Sequence, residues 1–201
     1  MKILKPTAEN IVKALDVLRH GGTVVHATET CYGLACDLSN PAAVTKLFAI
    51  KHRPVDQPVS ALFESIEQAK QYVMWNGDAD AFAREYLPGP LTLILPVKQN
   101  DPHTLYSAVR LPLAADRSIG IRISSHPLAQ QLVIDFGSPL STTSVNIHGR
   151  PPLYDAQGIF QEFSRETDQP DLILDSGVLP TVPPSRVVDC TKRGVPKILR
   201  T

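Results

Sequence analysis

The fold class follows from one stretch of the chain, Thr23-Val24-Val25-His26-Ala27-Thr28-Glu29-Thr30-Cys31-Tyr32-Gly33. Its first five residues include the β-branched types that favour strands, and the remainder forms a polar turn. In α/β proteins, ligands bind beyond the carboxyl ends of the strands. The stretch therefore predicts a strand over 23–27 and a candidate binding turn over 28–33.

Helices and strands alternate outward from this stretch. Thr7 is predicted to cap a helix that Gly21-Gly22 ends, and Asn40-Pro41 predicts the start of a helix that ends over 51–54. Further helices are predicted at 66–73, 78–87, 127–136 and 155–163, further strands at 59–63, 91–95, 118–123, 139–143, 172–174, 186–189 and 197–199, and a long surface loop at 99–117. The alternation indicates one α/β domain over residues 1–201, built around a twisted sheet.

Composition excludes several classes of protein. The 201 residues include 20 Lys or Arg and 20 Asp or Glu, a formal net charge of zero, which argues against histone-like binding to nucleic acid. The 43% hydrophobic content is too high for a disordered protein. Neither a signal peptide nor an apolar run near the ~18 residues of a membrane span is recognisable. A cytoplasmic protein with no membrane contact is expected.

The three cysteines are Cys31, Cys36 and Cys190. Their odd number and sparse distribution argue against a disulfide framework, and the spacing of the first two does not match a zinc site. They are interpreted as small thiols that are buried or partly buried, and no metal site is predicted.

Two short segments carry candidate chemistry, since phosphate-loop, dinucleotide-binding and nucleophile-elbow signatures are absent from the sequence. Lys51-His52-Arg53-Pro54 places two cations at the end of a helix, where they suit a polyphosphate or simply favour the helix dipole. Both cations are expected outside the core. Ser144-Val145-Asn146 presents a hydroxyl and an amide together, as a nucleobase, ribose or phosphate requires, or is an ordinary polar turn.

Arg122 is a third candidate, because it interrupts the apolar run of Ile119, Ile121 and Ile123. A strand arginine in this position either pairs with a buried acid or reaches a cleft. The residues alone leave both alternatives open.

Taken together, these segments resemble the YrdC/Sua5 family, the threonylcarbamoyl-AMP synthases, over essentially the whole chain. Six elements match in the same order. The first three are a Thr-Glu-Thr-x-Tyr-Gly-Leu turn at 28–34, Lys-x-Arg-Pro at 51–54, and the family's Trp-Pro-Gly-Pro-hydrophobic-Thr element at 87–92, where Leu87 stands at the position of the Trp. The others are hydrophobic-Arg-x-x-x-His-Pro at 121–127, Ser-x-Asn at 144–146 followed by a glycine and prolines, and a late Ser185 with Arg200. Ala27 and Val145 depart from the family's usual proline and alanine, and the C-terminal domain of longer Sua5-type members is not expected. The chain is therefore similar to the short, single-domain type of the YrdC branch.

The resemblance implies a mixed sheet flanked by helices with a concave cleft, and an enzyme that converts L-threonine, bicarbonate and ATP to threonylcarbamoyl-AMP and pyrophosphate. The product would serve t6A modification of tRNA through a separate transferase complex, and Mg²⁺ would be carried with ATP. Implied ATP-binding residues are Lys51, Arg53, Ser144, Asn146, Ser185 and Arg200, of which the first four are catalytic. Implied threonine-binding residues are Thr28, Thr30 and Arg122, with Arg122 pairing with the threonine carboxylate.

Two other functions are alternatives to the synthase. One is an RNA-binding module, since the family fold has a basic concave surface suited to double-stranded RNA or tRNA; the other is a YciO-like paralogue of different specificity. Residues 151–175 hold six acids and one base, whereas 176–201 hold five bases and one acid. The zero net charge is therefore a cancellation between regions and is compatible with a local pocket for ATP.

Overall fold

A mixed β-sheet of ten strands forms the centre of the computed structural model, which describes residues 1–54, 59–98 and 117–201. The strands are β1 (Lys2–Leu4), β2 (Thr23–Ala27), β3 (Tyr32–Cys36), β4 (Ser60–Leu62), β5 (Leu91–Pro96), β6 (Ser118–Arg122), β7 (Leu140–Ser144), β8 (Leu172–Leu174), β9 (Arg186–Asp189) and β10 (Lys197–Arg200). Their order across the sheet is β1-β8-β2-β3-β7-β4-β6-β5-β9-β10. Parallel and antiparallel neighbours both occur, as in β4 with β6 and β4 with β7, which confirms the expected mixed sheet.

Six helices within the same ranges flank the sheet: α1 (Ala8–Arg19), α2 (Pro41–Lys51), α3 (Ile66–Tyr72), α4 (Gly77–Tyr86), α5 (Pro127–Phe136) and α6 (Ala156–Phe163). The predicted caps are confirmed. The hydroxyl of Thr7 accepts from the amide of Asn10, and the side chain of Asn40 accepts from two amides of α2. In the described part of the chain, no helix is both long and apolar enough to cross a membrane.

Two strands depart from the sequence-based prediction. β1 was not expected, and β3 replaces the second half of the predicted turn. His26 pairs with Gly33 and Ala27 with Tyr32 in an antiparallel hairpin, so the turn is restricted to residues 28–31. The surface loop predicted at 99–117 lies, except for its last residue, outside the described residues.

Helices pack on both faces of the sheet. Val24 belongs to a cluster with buried residues of α1 and α5, whereas Val25 belongs to the larger cluster that includes residues of α2, α4 and α6. Successive residues of a strand point to opposite faces. The two valines therefore mark the two sides of the sheet, and α1 and α5 share one of them.

Candidate active site

The face of the sheet that carries α1 and α5 continues as a cleft. On β7, Leu140 packs in the cluster of these helices, and the next residues on the same face, Thr142 and Ser144, line a cleft of about 810 Å³. β4 shows the same change, from Leu62 beneath α5 to Ser60 in the cleft. The volume lies within the roughly 300–1,000 Å³ of small-molecule sites. The cleft is thus a polar continuation of a helix-covered face.

The strand β6 explains the position of Arg122. Ser118, Gly120 and Arg122 line the cleft, whereas Ile119 and Ile121 point to the opposite face and join the larger core. Arg122 therefore does not interrupt an apolar face, because it belongs to the polar face of a strand with two-residue periodicity.

Most of the residues implied by the resemblance meet at this cleft. Eight of the nine line it, and Lys51 lies behind it; the eight are Thr28, Thr30, Arg53, Arg122, Ser144, Asn146, Ser185 and Arg200. They come from the β2–β3 turn, the end of α2, and the strands β6, β7 and β10 with the segments beside them.

Lys51 is buried, so the expectation that it lies outside the core was wrong. It ends α2 and is 2% exposed, and His52 follows in the left-handed conformation with φ of 47°. Its ammonium donates to the carbonyl of Ser144, and to the carbonyl and side-chain oxygen of Asn146 at 2.9 and 3.2 Å. Burial, followed by the charge of nearby Arg53, lowers the pKa of Lys51 to about 8. Lys51 therefore holds the segment around Asn146.

Ser144 and Asn146 are brought together, as their spacing predicted, but much of their bonding capacity is used between themselves. The Ser144 hydroxyl donates to Oδ1 of Asn146 at 2.6 Å. Nδ2 of Asn146 donates to the carbonyl of Ile147 at 3.1 Å and to that of Arg150. The amide of Asn146 therefore organises the turn, while the Ser144 oxygen keeps acceptor capacity toward the cleft.

The turn between β2 and β3 is held by Thr28. Its hydroxyl donates to the carbonyl of Cys31 at 2.7 Å and accepts from the amides of Thr30 and Cys31 at 3.2 and 3.3 Å. The Thr30 hydroxyl lies 3.1 Å from that of Thr28. Thr28 has no donor left for a ligand, so Thr30 is the threonine of this pair that can contact one.

Arg122 combines the two alternatives left open by the sequence, since it lines the cleft and pairs with an acid that is partly buried. That acid is Glu29, and the side chains of the pair are 9% and 13% exposed. The second carboxylate oxygen of Glu29 accepts from the hydroxyl of Ser124. Burial lowers the pKa of Arg122, and the charge of Glu29 opposes that shift. Sequence reasoning gave no role to Glu29 or Ser124; the signal was an acid at the centre of a turn and an arginine that needed a partner.

Ser185 and Arg200 form a second polar cluster at the cleft. Arg200 donates through Nε to the carbonyl of Ser185 at 2.7 Å and through Nη2 to its hydroxyl at 2.9 Å. The Ser185 hydroxyl also lies 3.2 Å from that of Thr92 on β5. Arg200 is exposed as a residue; partial desolvation of its guanidinium, and then the charge of Arg122, lowers its pKa. The arginine thereby joins β10 to the segment before β9.

The cleft carries more cations than anions. Its lining within the described residues includes the guanidinium groups of Arg53, Arg122, Arg150 and Arg200 and one carboxylate, that of Asp189. Over residues 1–54, 59–98 and 117–201, no group of three or more His, Cys, Asp or Glu side chains could hold a metal ion. The arrangement therefore suits a ligand with several negative charges.

The burial of the cysteines agrees with their interpretation as buried or partly buried thiols. Cys36 and Cys190 are buried, and Cys31 is partly buried in the cleft lining. Burial raises the pKa of all three thiols, to about 12 for Cys36 and to about 11 for Cys190.

Comparison with known proteins finds one family model and several named relatives that match most of this chain. The family model Sua5_yciO_yrdC, described as "Telomere recombination", matches residues 16–201. A threonylcarbamoyl-AMP synthase from Vibrio cholerae is 33% identical over 165 residues, which cover 79% of this chain and 82% of the relative. A protein of the same name from Photobacterium profundum is 32% identical over 147 residues, which cover 72% and 76%.

Solved structures show the same fold. Sua5 from P. abyssi, crystallised with L-threonine, superposes with a TM-score of 0.82 at 28% identity over 99% of this chain. This chain spans 56% of that protein's length. E. coli YciO has a TM-score of 0.82 at 24% identity, with 99% of this chain and 92% of YciO covered, and at that identity the likeness shows the fold alone.

Proposed function

Since this chain belongs to the Sua5/YciO/YrdC family, we propose that it is a threonylcarbamoyl-AMP synthase. It converts L-threonine, bicarbonate and ATP to threonylcarbamoyl-AMP and pyrophosphate, which supplies t6A modification of tRNA. The observation that carries the proposal is the convergence of Arg53, Arg122, Ser144 and Arg200 in one cleft. Relatives that align with more than two thirds of the chain bear the name of this enzyme.

The charge of the cleft fits the chemistry of this reaction. The threonine amine attacks bicarbonate with loss of water to form a carbamate, whose oxygen then attacks the α-phosphorus of ATP as pyrophosphate leaves. Both partners of the second step are anions, so the site must supply positive charge and hold the reacting atoms together. Arg53 and Arg200 are assigned to the phosphates, and Arg122 to the carboxylate of threonine.

The residues of the site fall into two groups, those that hold its turns and those that contact the substrate. Lys51, Thr28 and Asn146 direct their polar atoms to the surrounding backbone and to one another. We assign them to holding the two turns in place. Thr30 and Ser144 are assigned to substrate contact, since each lines the cleft and retains capacity for a further hydrogen bond.

Three further features belong to the same proposal. Mg²⁺ would be carried with ATP, mainly by phosphate oxygens and water, and would neutralise phosphate charge; the cleft lining of the described residues, with four arginines and one carboxylate, suits such a phosphate-bound ion. The adenylate passes to a separate transferase complex that modifies tRNA. The site of action is the cytoplasm, where these tRNAs are used.

The test is pyrophosphate release by the purified full chain with each substrate omitted in turn. The proposal requires release only when ATP, threonine and bicarbonate are all present. Equal release without threonine would contradict it and would favour a YciO-like paralogue of different specificity. Arg53→Ala serves as the site variant, and Lys13→Ala, on the exposed side of α1, serves as its control.

RNA binding is the second candidate, favoured by the basic segment over residues 176–201. Lys192, Arg193 and Lys197 are exposed there. Binding of double-stranded RNA or tRNA through this segment would weaken steeply as salt is added. A filter-binding titration with tRNA at several salt concentrations tests this candidate. A chain that does not bind tRNA even at low salt would exclude RNA binding.

A further inference from the structure

We propose that Glu29 is a positioning residue for threonine binding, acting through Arg122; this inference rests on the function proposed above. Glu29 lies in the turn between β2 and β3, and Arg122 is the last residue of β6. The strands β7 and β4 separate β3 from β6 in the sheet. The pair therefore connects two parts of the cleft wall that no backbone pairing joins directly.

The contacts of Glu29 are suited to fixing a guanidinium group. Its Oε1 accepts from Nη2 of Arg122, and its Oε2 accepts from the hydroxyl of Ser124. The Ser124 hydroxyl in turn accepts from the amide of His126 at 3.1 Å, and Ser124 is 1% exposed. The carboxylate is thus held through both oxygens, one of them anchored to the start of α5.

Arg122 depends on this support. Its Nε is buried and has no hydrogen-bond partner among residues 1–54, 59–98 and 117–201, so Glu29 supplies the contact that sets the orientation of its guanidinium. Arg122 lines the cleft, whereas Glu29 is not among the cleft-lining residues described by the structure. Glu29 therefore acts from behind Arg122 and does not itself contact the substrate.

The consequence is a cationic group that is fixed before threonine arrives. A carboxylate that approaches from the cleft meets an arginine whose rotamer is already selected, which lowers the entropy cost of binding. The same contact ties the turn that carries Thr30 to β6. Loss of Glu29 is therefore expected to impair threonine binding more than ATP binding.

The experiment compares Glu29→Ala and Glu29→Gln with the wild-type chain by calorimetric titration of threonine and, separately, of ATP. Glu29→Ala should weaken threonine binding by about tenfold or more, because small displacements of a binding group are costly, with ATP affinity unchanged. Glu29→Gln keeps an oxygen that accepts from Arg122 and should recover part of the loss. Asp171→Asn is the matched control, since Asp171 accepts from Thr23 and Lys46 outside the cleft. This variant should lower the melting temperature without weakening threonine binding more than ATP binding.

Two results would overturn the positioning role while leaving the proposed enzyme intact. One is unchanged threonine affinity in both Glu29 variants; the other is an equal loss of threonine and ATP affinity, which indicates a general structural role. Failure of the wild-type chain to bind threonine at all would overturn the proposed function together with this inference.

Discussion

Replacing Lys51 with Met removes an ammonium group and keeps a side chain of similar length. The ammonium contacts the carbonyls of Ser144 and Asn146 and the side-chain oxygen of Asn146. Hydrogen bonds from a charged donor contribute about 1.5–3 kcal/mol each. Burial and the charge of Arg53 oppose them by lowering the pKa of Lys51 from 10.5 to about 8, a cost of about 3 kcal/mol. Three such bonds less this cost leave a net stabilisation, so we expect Lys51→Met to lower the free energy of unfolding by about 1.5–6 kcal/mol.

Urea unfolding followed by circular dichroism measures this change. Lys13→Met is the control, because Lys13 forms an ion pair with Glu9 in which the two side chains are 53% and 79% exposed, and its loss should leave the urea midpoint nearly unchanged. Pyrophosphate release measured well below the melting temperature should also fall, since the Ser144–Asn146 turn loses its support. A variant that is as stable as the control yet inactive would refute the reasoning, because the ammonium would then act on the substrate.

Three further outcomes follow from the same contacts. Pyrophosphate release should fall as pH rises through about 8, because Lys51 becomes neutral there and loses a hydrogen-bond donor. Between about pH 8 and 10.5 Lys51 is mostly neutral in the folded chain but protonated in the unfolded chain, so its contribution to the free energy of unfolding should rise with pH over that window. Urea titrations at several pH values measure this rise. Gly120→Ala places a Cβ 2.6 Å from the Ser60 hydroxyl and should cost about 1–3 kcal/mol in thermal unfolding, with partial recovery in Gly120→Ala/Ser60→Ala. Arg200→Lys cannot reproduce the two bonds to Ser185; it should raise the KM for ATP in the pyrophosphate assay, and an unchanged KM would contradict the assignment.

Features set by local chemistry were predictable from the sequence. The caps Thr7 and Asn40 satisfy amides within three residues of themselves, so a short window is sufficient to identify them. The proximity of Ser144 and Asn146 was predictable for the same reason. The convergence of distant segments in one cleft was expected from the family resemblance, because no single segment determines it.

Features set by neighbouring strands were not predictable in the same way. The strand Tyr32–Cys36 contains glycine, alanine and cysteine where β-branched residues would be expected, and its pairing with β2 and β7 defines it. The burial of Lys51 depends on the Ser144–Asn146 turn, which lies more than 90 positions further along the chain. Arg122 was noticed, but its neighbours Ser118 and Gly120 were not grouped with it. Counting by two along β6 would have identified the polar face.

The two cations of the Lys-x-Arg element show why spacing alone does not assign roles. Lys51 and Arg53 are separated by one residue, His52, which adopts φ of 47°. That left-handed residue ends α2 and turns the chain, so Lys51 points into the interior beneath Asn146 while Arg53 lines the cleft. A substrate assigned to both cations would require both to face it. The backbone between them directs Arg53 to the substrate and Lys51 to the turn that shapes the site. Substituting Arg53 should therefore weaken substrate binding, whereas substituting Lys51 should also lower the free energy of unfolding.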